Sequence, residues 1–335
     1  IAAFVEPFDG TLYDPCCGSG GMFIQCAKYV QEKQGDITRV NVYGQERDPA
    51  TYRLAKMNLA MRGISHHLGE KNADSFTNDL HKGLTFDFIM ANPPFNLKKW
   101  YDTSLSKDSR WADYDIPPEG NANYAWILHM LSKLKPGKGV AGFLLANGAL
   151  GDGDAIGIRQ KLIENDKIEA IVVLPRELFY TTDISVTMWI LNENKKGGMW
   201  HGRKLRNREK EILFMDLRQW TENPVKNEQK KKVELKPDQI KRAAEIYFKW
   251  QSEGTDGTNY AEPELYRSVG FEEIKSNGFS LVPSRYIEFV DRDTTIDYHK
   301  VLTETAKSVS DLLKRQQQNA ETLRKALKEL GYECE

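Results

Sequence analysis

The chain has 335 residues, 40% apolar and 10% aromatic, enough for one large or two ordinary domains with a substantial core. Its 47 basic and 48 acidic side chains leave a net charge of −1, so the chain as a whole is no electrostatic trap for nucleic acid. No apolar run approaches a bilayer span, no basic-then-apolar leader is present, and the four cysteines (Cys16, Cys17, Cys26, Cys334) form no CxxC pair and have no histidine at ligand spacing, so the expectation is a cytoplasmic protein with reduced thiols, no metal site and no membrane partner.

The chain starts on Ile1 and enters a strand pattern after about ten residues, which reads as a fragment. Thr11 to Asp14 is expected as the first strand and Gly20 to Gln34 as the first helix. Between them lies Asp14-Pro15-Cys16-Cys17-Gly18-Ser19-Gly20-Gly21-Met22, a glycine-rich turn that lets backbone approach a bound nucleoside closely. A dinucleotide fingerprint needs a third glycine where Phe23 stands, so a pyrophosphate ligand is disfavoured. S-adenosylmethionine has no pyrophosphate. Its ammonium and sulfonium call for a carboxylate and carbonyls near the loop, and Asp14, Cys16, Gly18, Ser19 and Gly20 are the candidate contacts.

Arg39 to Glu46 is expected as the next strand and Pro49 to Met61 as a helix with proline in its first turn. Glu46 closes that strand, and a carboxylate there can accept from both ribose hydroxyls. A further short segment ends near Asp74, whose carboxylate can accept from an adenine amino group with Phe76 against the ring. Taken alone, either acid also reads as a helix cap or surface residue.

The apolar run Phe86 to Met90 leads into Ala91-Asn92-Pro93-Pro94-Phe95-Asn96. Asn92, with the Pro93 carbonyl, can accept both hydrogens of an exocyclic amine while Pro94 holds the turn and Phe95 stacks on a flat ring. This suits methylation of a planar amino group held out of its stack. Such a match also arises by chance in about one chain of this length in a hundred. Acceptors left open by the motif alone are adenine N6, cytosine N4, a guanine amino group in RNA and a glutamine amide in protein.

Residues 97–119 form a long loop carrying Lys98, Lys99, Trp100, Tyr101, Lys107, Arg110, Trp111 and Tyr114. It reads either as a surface for a splayed-out nucleotide or as a lid packed by its own aromatics. A helix from Asn123 to Leu134 and extended runs at Gly139 to Ala146, Lys167 to Leu174, Ile184 to Leu191 and Ile212 to Leu217 complete a β/α alternation. The expected fold is α/β, a mostly parallel sheet with helices on both faces, over a catalytic domain at 1–217. Lys195 to Lys210 holds seven basic residues against one acidic, a phosphate-contacting surface or a solvated hairpin, and Lys226, Lys230, Lys231, Lys232 and Lys236 add to it.

A mixed connecting region, 218–296, leads to a long C-terminal helix at 297–331. In it Leu302, Ala306, Val309, Leu313, Gln316, Ala320, Leu323, Leu327 and Leu330 alternate in steps of four and three. That seam has a period of about 3.5 residues and suits a partner helix.

Together the segments DPCCGSGGM (14–22), GQE (44–46), ADSF (73–76), ANPPFN (91–96), NANYAWILHMLSKLKPGKG (121–139), GVAGFLLANGAL (139–150), 158–195 and the C-terminal helix resemble the amino-directed DNA methyltransferases that use S-adenosylmethionine. The resemblance is closest to the modification (M) subunit of type I restriction-modification systems. It covers most of the chain and implies a Rossmann-like methyltransferase fold, transfer to adenine N6 in DNA, and association with a specificity subunit and a restriction subunit. The helical region and Phe-Thr-Pro-type segment with which such subunits usually begin do not occur here. The isolated chain is therefore expected to bind S-adenosylmethionine weakly or not at all even where the full protein is an active enzyme, and the alternative, non-enzyme reading is a scaffold that binds a specificity subunit.

Overall fold

A computed structural model of the protein describes residues 1–179, 183–220, 225–227, 230–290 and 298–330. In chain order the strands are β1 (Gly10–Asp14), β2 (Val40–Gly44), β3 (His66–His67), β4 (Phe88–Ala91), β5 (Val140–Ala146), β6 (Ile168–Val173), β7 (Val186–Asn192), β8 (Gly198–Trp200), β9 (Arg203–Leu205), β10 (Glu211–Asp216), β11 (Val225–Asn227), β12 (Lys230–Lys232), β13 (Ala261–Glu262) and β14 (Tyr266–Gly270). The helices are α1 (Ala2–Val5), α2 (Gly21–Glu32), α3 (Pro49–Ala60), α4 (Asn123–Ser132), α5 (Ile156–Glu164), α6 (Pro237–Gln251), α7 (Phe271–Ser276) and α8 (Tyr298–Glu329). None of them is long and apolar enough to cross a membrane.

Ten strands join in the order β13-β14-β10-β6-β7-β5-β4-β1-β2-β3. Pairing is parallel from β3 through β5 and between β6 and β10, while β7 runs antiparallel to both its neighbours. A parallel crossover usually carries a helix; the described residues between Val173 and Val186 form none, and β7 pairs with β6 antiparallel. Residues 218–288, expected as a connecting region, add β14 and β13 to the β10 edge and α6 to the sheet's face.

Alternate strand residues feed two cores. Tyr13, Ile89, Phe143 and Trp189 face α4 and α5, whereas Leu12, Phe88, Leu144 and Ile190 face α2, α3 and α6. β4 is buried at every position, as a strand covered on both faces must be. Asp87 sets its position beside β1: the carboxylate accepts the backbone N–H of Thr11 (3.1 Å) and its hydroxyl (2.9 Å), and the Asp87 N–H donates back to that hydroxyl (3.0 Å). Strand order reverses at this pair, because the chain goes from β1 to β2 and β3 on one side and returns to β4 on the other. In open α/β sheets ligands sit outside the carboxyl ends of the strands at such a reversal.

The basic run 195–210 is folded into the unit as ion-pair partners. Lys195 meets Asp166 (2.6 Å), Arg206 meets Glu211 (2.7 Å), and Arg208 meets Glu169 (2.8 Å) with both side chains wholly buried. Arg203 pairs with Glu6, and Lys204 with Glu253. Burial withdraws Lys195, Arg206 and Arg208 from a phosphate-binding surface, whereas Lys204 stays exposed on the β8–β9 hairpin. The side chains of Lys226, Lys230, Lys231 and Lys232 lie outside what is described.

The chain divides into two units, Ile1–Glu288 and Phe289–Glu335. In the second, α8 is exposed along almost its whole length, with Leu302 68%, Leu313 59% and Leu323 61% accessible.

Candidate functional site

The glycine loop leaves β1 at Asp14, and its course follows from two residues in the left-handed region, Gly18 at φ 53° and Gly20 at φ 81°. A Cβ on Gly18 would meet nothing within 4 Å, so open space lies over the backbone there; one on Gly20 would press on Leu59 at 3.3 Å, so that glycine serves helix packing. Glu46 fastens the loop. Its carboxylate accepts the Gly18 N–H (3.0 Å) and the Asp48 N–H (2.8 Å). Gln45, fully buried, donates to the carbonyls of Ala73 (3.1 Å) and Asn78 (2.8 Å), which draws the Asp74 turn against the end of β2.

These pieces enclose a cavity of about 440 Å3 at the strand-order reversal, lined by Pro15, Cys16, Gly18, Glu46, Arg47, Asp74, Ser75, Asn92, Pro93, Pro94, Phe95, Leu97, Trp126 and Phe179. All four expected acceptor-side residues are there. Asn92 is exposed, and neither its amide nor the Pro93 carbonyl is hydrogen-bonded to another described residue. Phe95 meets Phe179 edge to face, with ring centroids 5.7 Å apart.

The expected cofactor residues divide. Cys16, Gly18, Glu46 and Asp74 line the cavity; Asp14, Ser19, Gly20 and Phe76 do not. Asp14 is 2% exposed beneath the loop, where its carboxylate accepts the Cys16 N–H (3.0 Å) and burial pushes its pKa up to about 7. Ser19 gives its carbonyl to the Asn58 amide (3.0 Å). Phe76 corrects the expectation that it packs on a cofactor ring. It is 2% exposed and packs between Trp100 and Trp126, at centroid distances of 4.9 and 4.2 Å. The strand expected to end near Asp74 ends at His67 instead, and Asp74 opens a turn whose Phe76 N–H its own carboxylate accepts (2.8 Å). That turn points Phe76 inward.

Trp126 and Phe179, aromatic walls of the cavity, were not singled out by sequence. Trp126 lies three residues beyond Asn123 on α4, the one-turn spacing that puts both on one face. In the loop 97–119, Trp100 donates to the Pro118 carbonyl (3.0 Å) and Trp111 to the Leu105 carbonyl (2.8 Å), both rings buried. These two therefore pack the loop itself and are withheld from a nucleotide.

A family model described as N-6 DNA Methylase matches residues 1–294. The chain belongs to that family. Among relatives, it is 39% identical to the Haemophilus influenzae type I restriction enzyme HindI methylase subunit, over 99% of this chain and 71% of that protein. It is 32% identical to the Methanocaldococcus jannaschii MjaIX methylase subunit, over 96% of this chain and 56% of that one. The chain also resembles the crystal structure of a type I restriction-modification methyltransferase subunit from Streptococcus thermophilus, with TM-score 0.70, 26% identity, and coverage of 85% and 56% of the two chains. At TM-score 0.61 and 19% identity, the EcoKI M protein shares its fold. The α/β methyltransferase architecture expected from sequence is thus the architecture of the chain, and its place is among the type I methylase subunits.

Proposed function

We propose that the chain transfers a methyl group from S-adenosylmethionine to adenine N6 in DNA, as the catalytic part of a type I modification subunit. The observation that carries this is the convergence of Asn92-Pro93-Pro94-Phe95 and the two acids Glu46 and Asp74 on one cavity at the strand reversal. The donor set suits the cofactor: carboxylates for ribose hydroxyls and an amino group, open space over Gly18 for close backbone approach, and no built pyrophosphate turn.

S-adenosylmethionine supplies an electrophilic methyl group. Glu46 would accept from the ribose, and Asp74 from the adenine amino group of the cofactor, with Trp126 taking the role expected of Phe76. Asp14 would stay beneath the loop and ionise when a ligand ammonium arrives. Target adenine must leave the duplex for its N6 to meet the methyl in line. Asn92 Oδ1 then accepts one N6 hydrogen and the Pro93 carbonyl the other. This draws the nitrogen lone pair out of ring conjugation and aims it, which is positioning and electrostatic stabilisation and requires no nucleophilic cysteine; the N6–CH3 bond would form as the sulfonium–CH3 bond breaks, leaving the neutral thioether, and one N6 proton would pass to water. Phe95 and Phe179 supply faces for the flipped ring, and Pro94 keeps the turn's shape.

α8 presents its seam to solvent, and the proposed occupant is a helix of the specificity subunit that reads the DNA sequence; a restriction subunit joins the same complex. The test is Asn92→Ala in the presence of a specificity subunit. Methyl transfer to DNA should fall by a factor of about 100 or more while cofactor affinity changes little; retained transfer would remove Asn92 from the mechanism. Transfer to RNA or protein in place of DNA would overturn the acceptor.

A further inference from the structure

Arg110 belongs to the loop rich in basic and aromatic residues, yet its side chain is only 9% exposed. Every direction of the guanidinium is taken. Nε donates to Asp108 (2.8 Å), Nη1 to the Ser75 carbonyl (2.8 Å) and to His129 Nδ1 (2.9 Å), and Nη2 to the Phe76 carbonyl and to Asp108 (2.7 Å). His129 can accept because it is neutral: burial, with the Arg110 charge beside it, lowers its pKa to about 3. Its other nitrogen lies 3.2 Å from the Tyr13 hydroxyl, on the strand that ends at Asp14.

The two carbonyls that Arg110 holds belong to the residues directly after Asp74. That turn has other fastenings: the Ser75 hydroxyl donates to the Pro15 carbonyl, the Ala73 N–H to the Glu46 carbonyl (2.9 Å), Gln45 donates to the Ala73 and Asn78 carbonyls, and Arg47 reaches the Asp74 carboxylate (3.4 Å). All of these come from the cofactor side of the cavity. Among these contacts Arg110 is the one from the loop that follows Asn92-Pro93-Pro94-Phe95, so it bridges the two sides.

We infer that Arg110 is a positioning residue that holds the Asp74 turn in the orientation its carboxylate needs toward the cofactor adenine. A planar guanidinium can span two carbonyls, an imidazole and a carboxylate at once; an ammonium cannot reproduce that fork. The inference rests on the proposed assignment of Asp74.

Two measurements on the full chain test it, with wild type, Arg110→Lys and Asp74→Ala compared. Hydrogen exchange needs no ligand: in Arg110→Lys the Phe76 and Thr77 amides should lose protection by about tenfold, the scale of one hydrogen bond, while β1 and β4 keep theirs. Unchanged exchange at these two amides, or a uniform loss over the whole unit, would overturn the inference. Calorimetry with S-adenosylhomocysteine and its inosyl analogue, which lacks the amino group, reads the consequence. Wild type should prefer the adenosyl form, and both variants should lose the preference. If Asp74→Ala loses it and Arg110→Lys keeps it, Arg110 does not position the turn. If wild type shows none, the Asp74 assignment itself fails.

Discussion

Asn123 grips Asn96 at two points: the Asn96 N–H donates to Asn123 Oδ1 (3.1 Å), and Asn123 Nδ2 donates to Asn96 Oδ1 (2.9 Å). Asn96 sits in the left-handed region at φ 52°, and Asn123 is 1% exposed at the start of α4. A rigid helix thus fixes the turn four residues after Asn92. Asn123→Ala should cost ~1–3 kcal/mol of stability by leaving buried groups unpaired. It should also lower kcat more than it weakens cofactor binding, because the acceptor side of the cavity loses its brace. Thermal melting and single-turnover transfer, measured together, check both.

Glu46 does two jobs with one carboxylate. Besides facing the cavity it holds the Gly18 and Asp48 N–H groups. Glu46→Gln keeps one acceptor oxygen and should weaken cofactor binding by about tenfold, whereas Glu46→Ala should weaken it further and loosen the glycine loop. Calorimetric titration separates the two variants. Equal affinity for all three proteins would remove Glu46 from the ribose site.

Asp14 gives the site a pH dependence. With a pKa raised from 3.8 to about 7, chiefly by burial, the free protein prefers this carboxyl neutral. The stabilisation that goes with the neutral form is fully present below the ordinary aspartate range and is lost as pH rises through about 7. A ligand ammonium favours the opposite, charged form. Cofactor affinity should therefore rise as pH passes upward through about 7, with proton release on binding below it. Asp14→Asn should abolish that step; a pH-independent affinity between 5.5 and 8.5 in the wild type would contradict the assignment.

Glu169 and Arg208 should be indispensable to the fold and irrelevant to the chemistry. Both are wholly buried, and Glu169 also accepts from Tyr247 (3.1 Å) and Gln251 (3.0 Å). Burial alone would raise its pKa, but Arg208, Gln251 and Asn192 hold it below the ordinary carboxylate value. Its contribution to stability is present above that value and lost as pH falls. Removing one partner strands a buried charge, so Arg208→Met should destabilise by about 3–5 kcal/mol in chemical denaturation.

α8 should matter for association only. Leu313→Lys, in the middle of its exposed seam, should leave the melting of the Ile1–Glu288 unit unchanged and weaken binding of a specificity subunit by at least about tenfold. Undiminished binding would place the contact elsewhere.

Much of the site was legible because its signals are local. Gly18 and Gly20 announce a backbone conformation, Asn92-Pro93-Pro94 a turn with free acceptors, and the alternation of apolar runs a sheet with helices on both faces. Asp74 was legible too, since its turn chemistry lies within three residues. What failed was the direction of Phe76. Its own carboxylate-capped turn sends the ring inward, and only the arrival of Trp100 and Trp126 from later in the chain makes that burial favourable. The run 195–210 left a phosphate surface and a hairpin both open, and the hairpin forms as β8 and β9. What the sequence did not show is that Lys195, Arg203, Lys204 and Arg208 pair with Asp166, Glu6, Glu253 and Glu169, which lie on other elements.

By itself the sequence determined the elements, the motif at each strand end and the kind of chemistry those motifs can perform, because periodicity and turn preference act over a few residues. The tertiary structure decided which strand ends meet. β1 and β4 are neighbours only because the chain reverses its order across the sheet, and Asp87 sets that pairing. It also decided which aromatics face the cavity and that Asn123 and Arg110 hold its two sides. Contacts of this kind depend on packing between segments far apart in the chain, and no local window of sequence contains both partners.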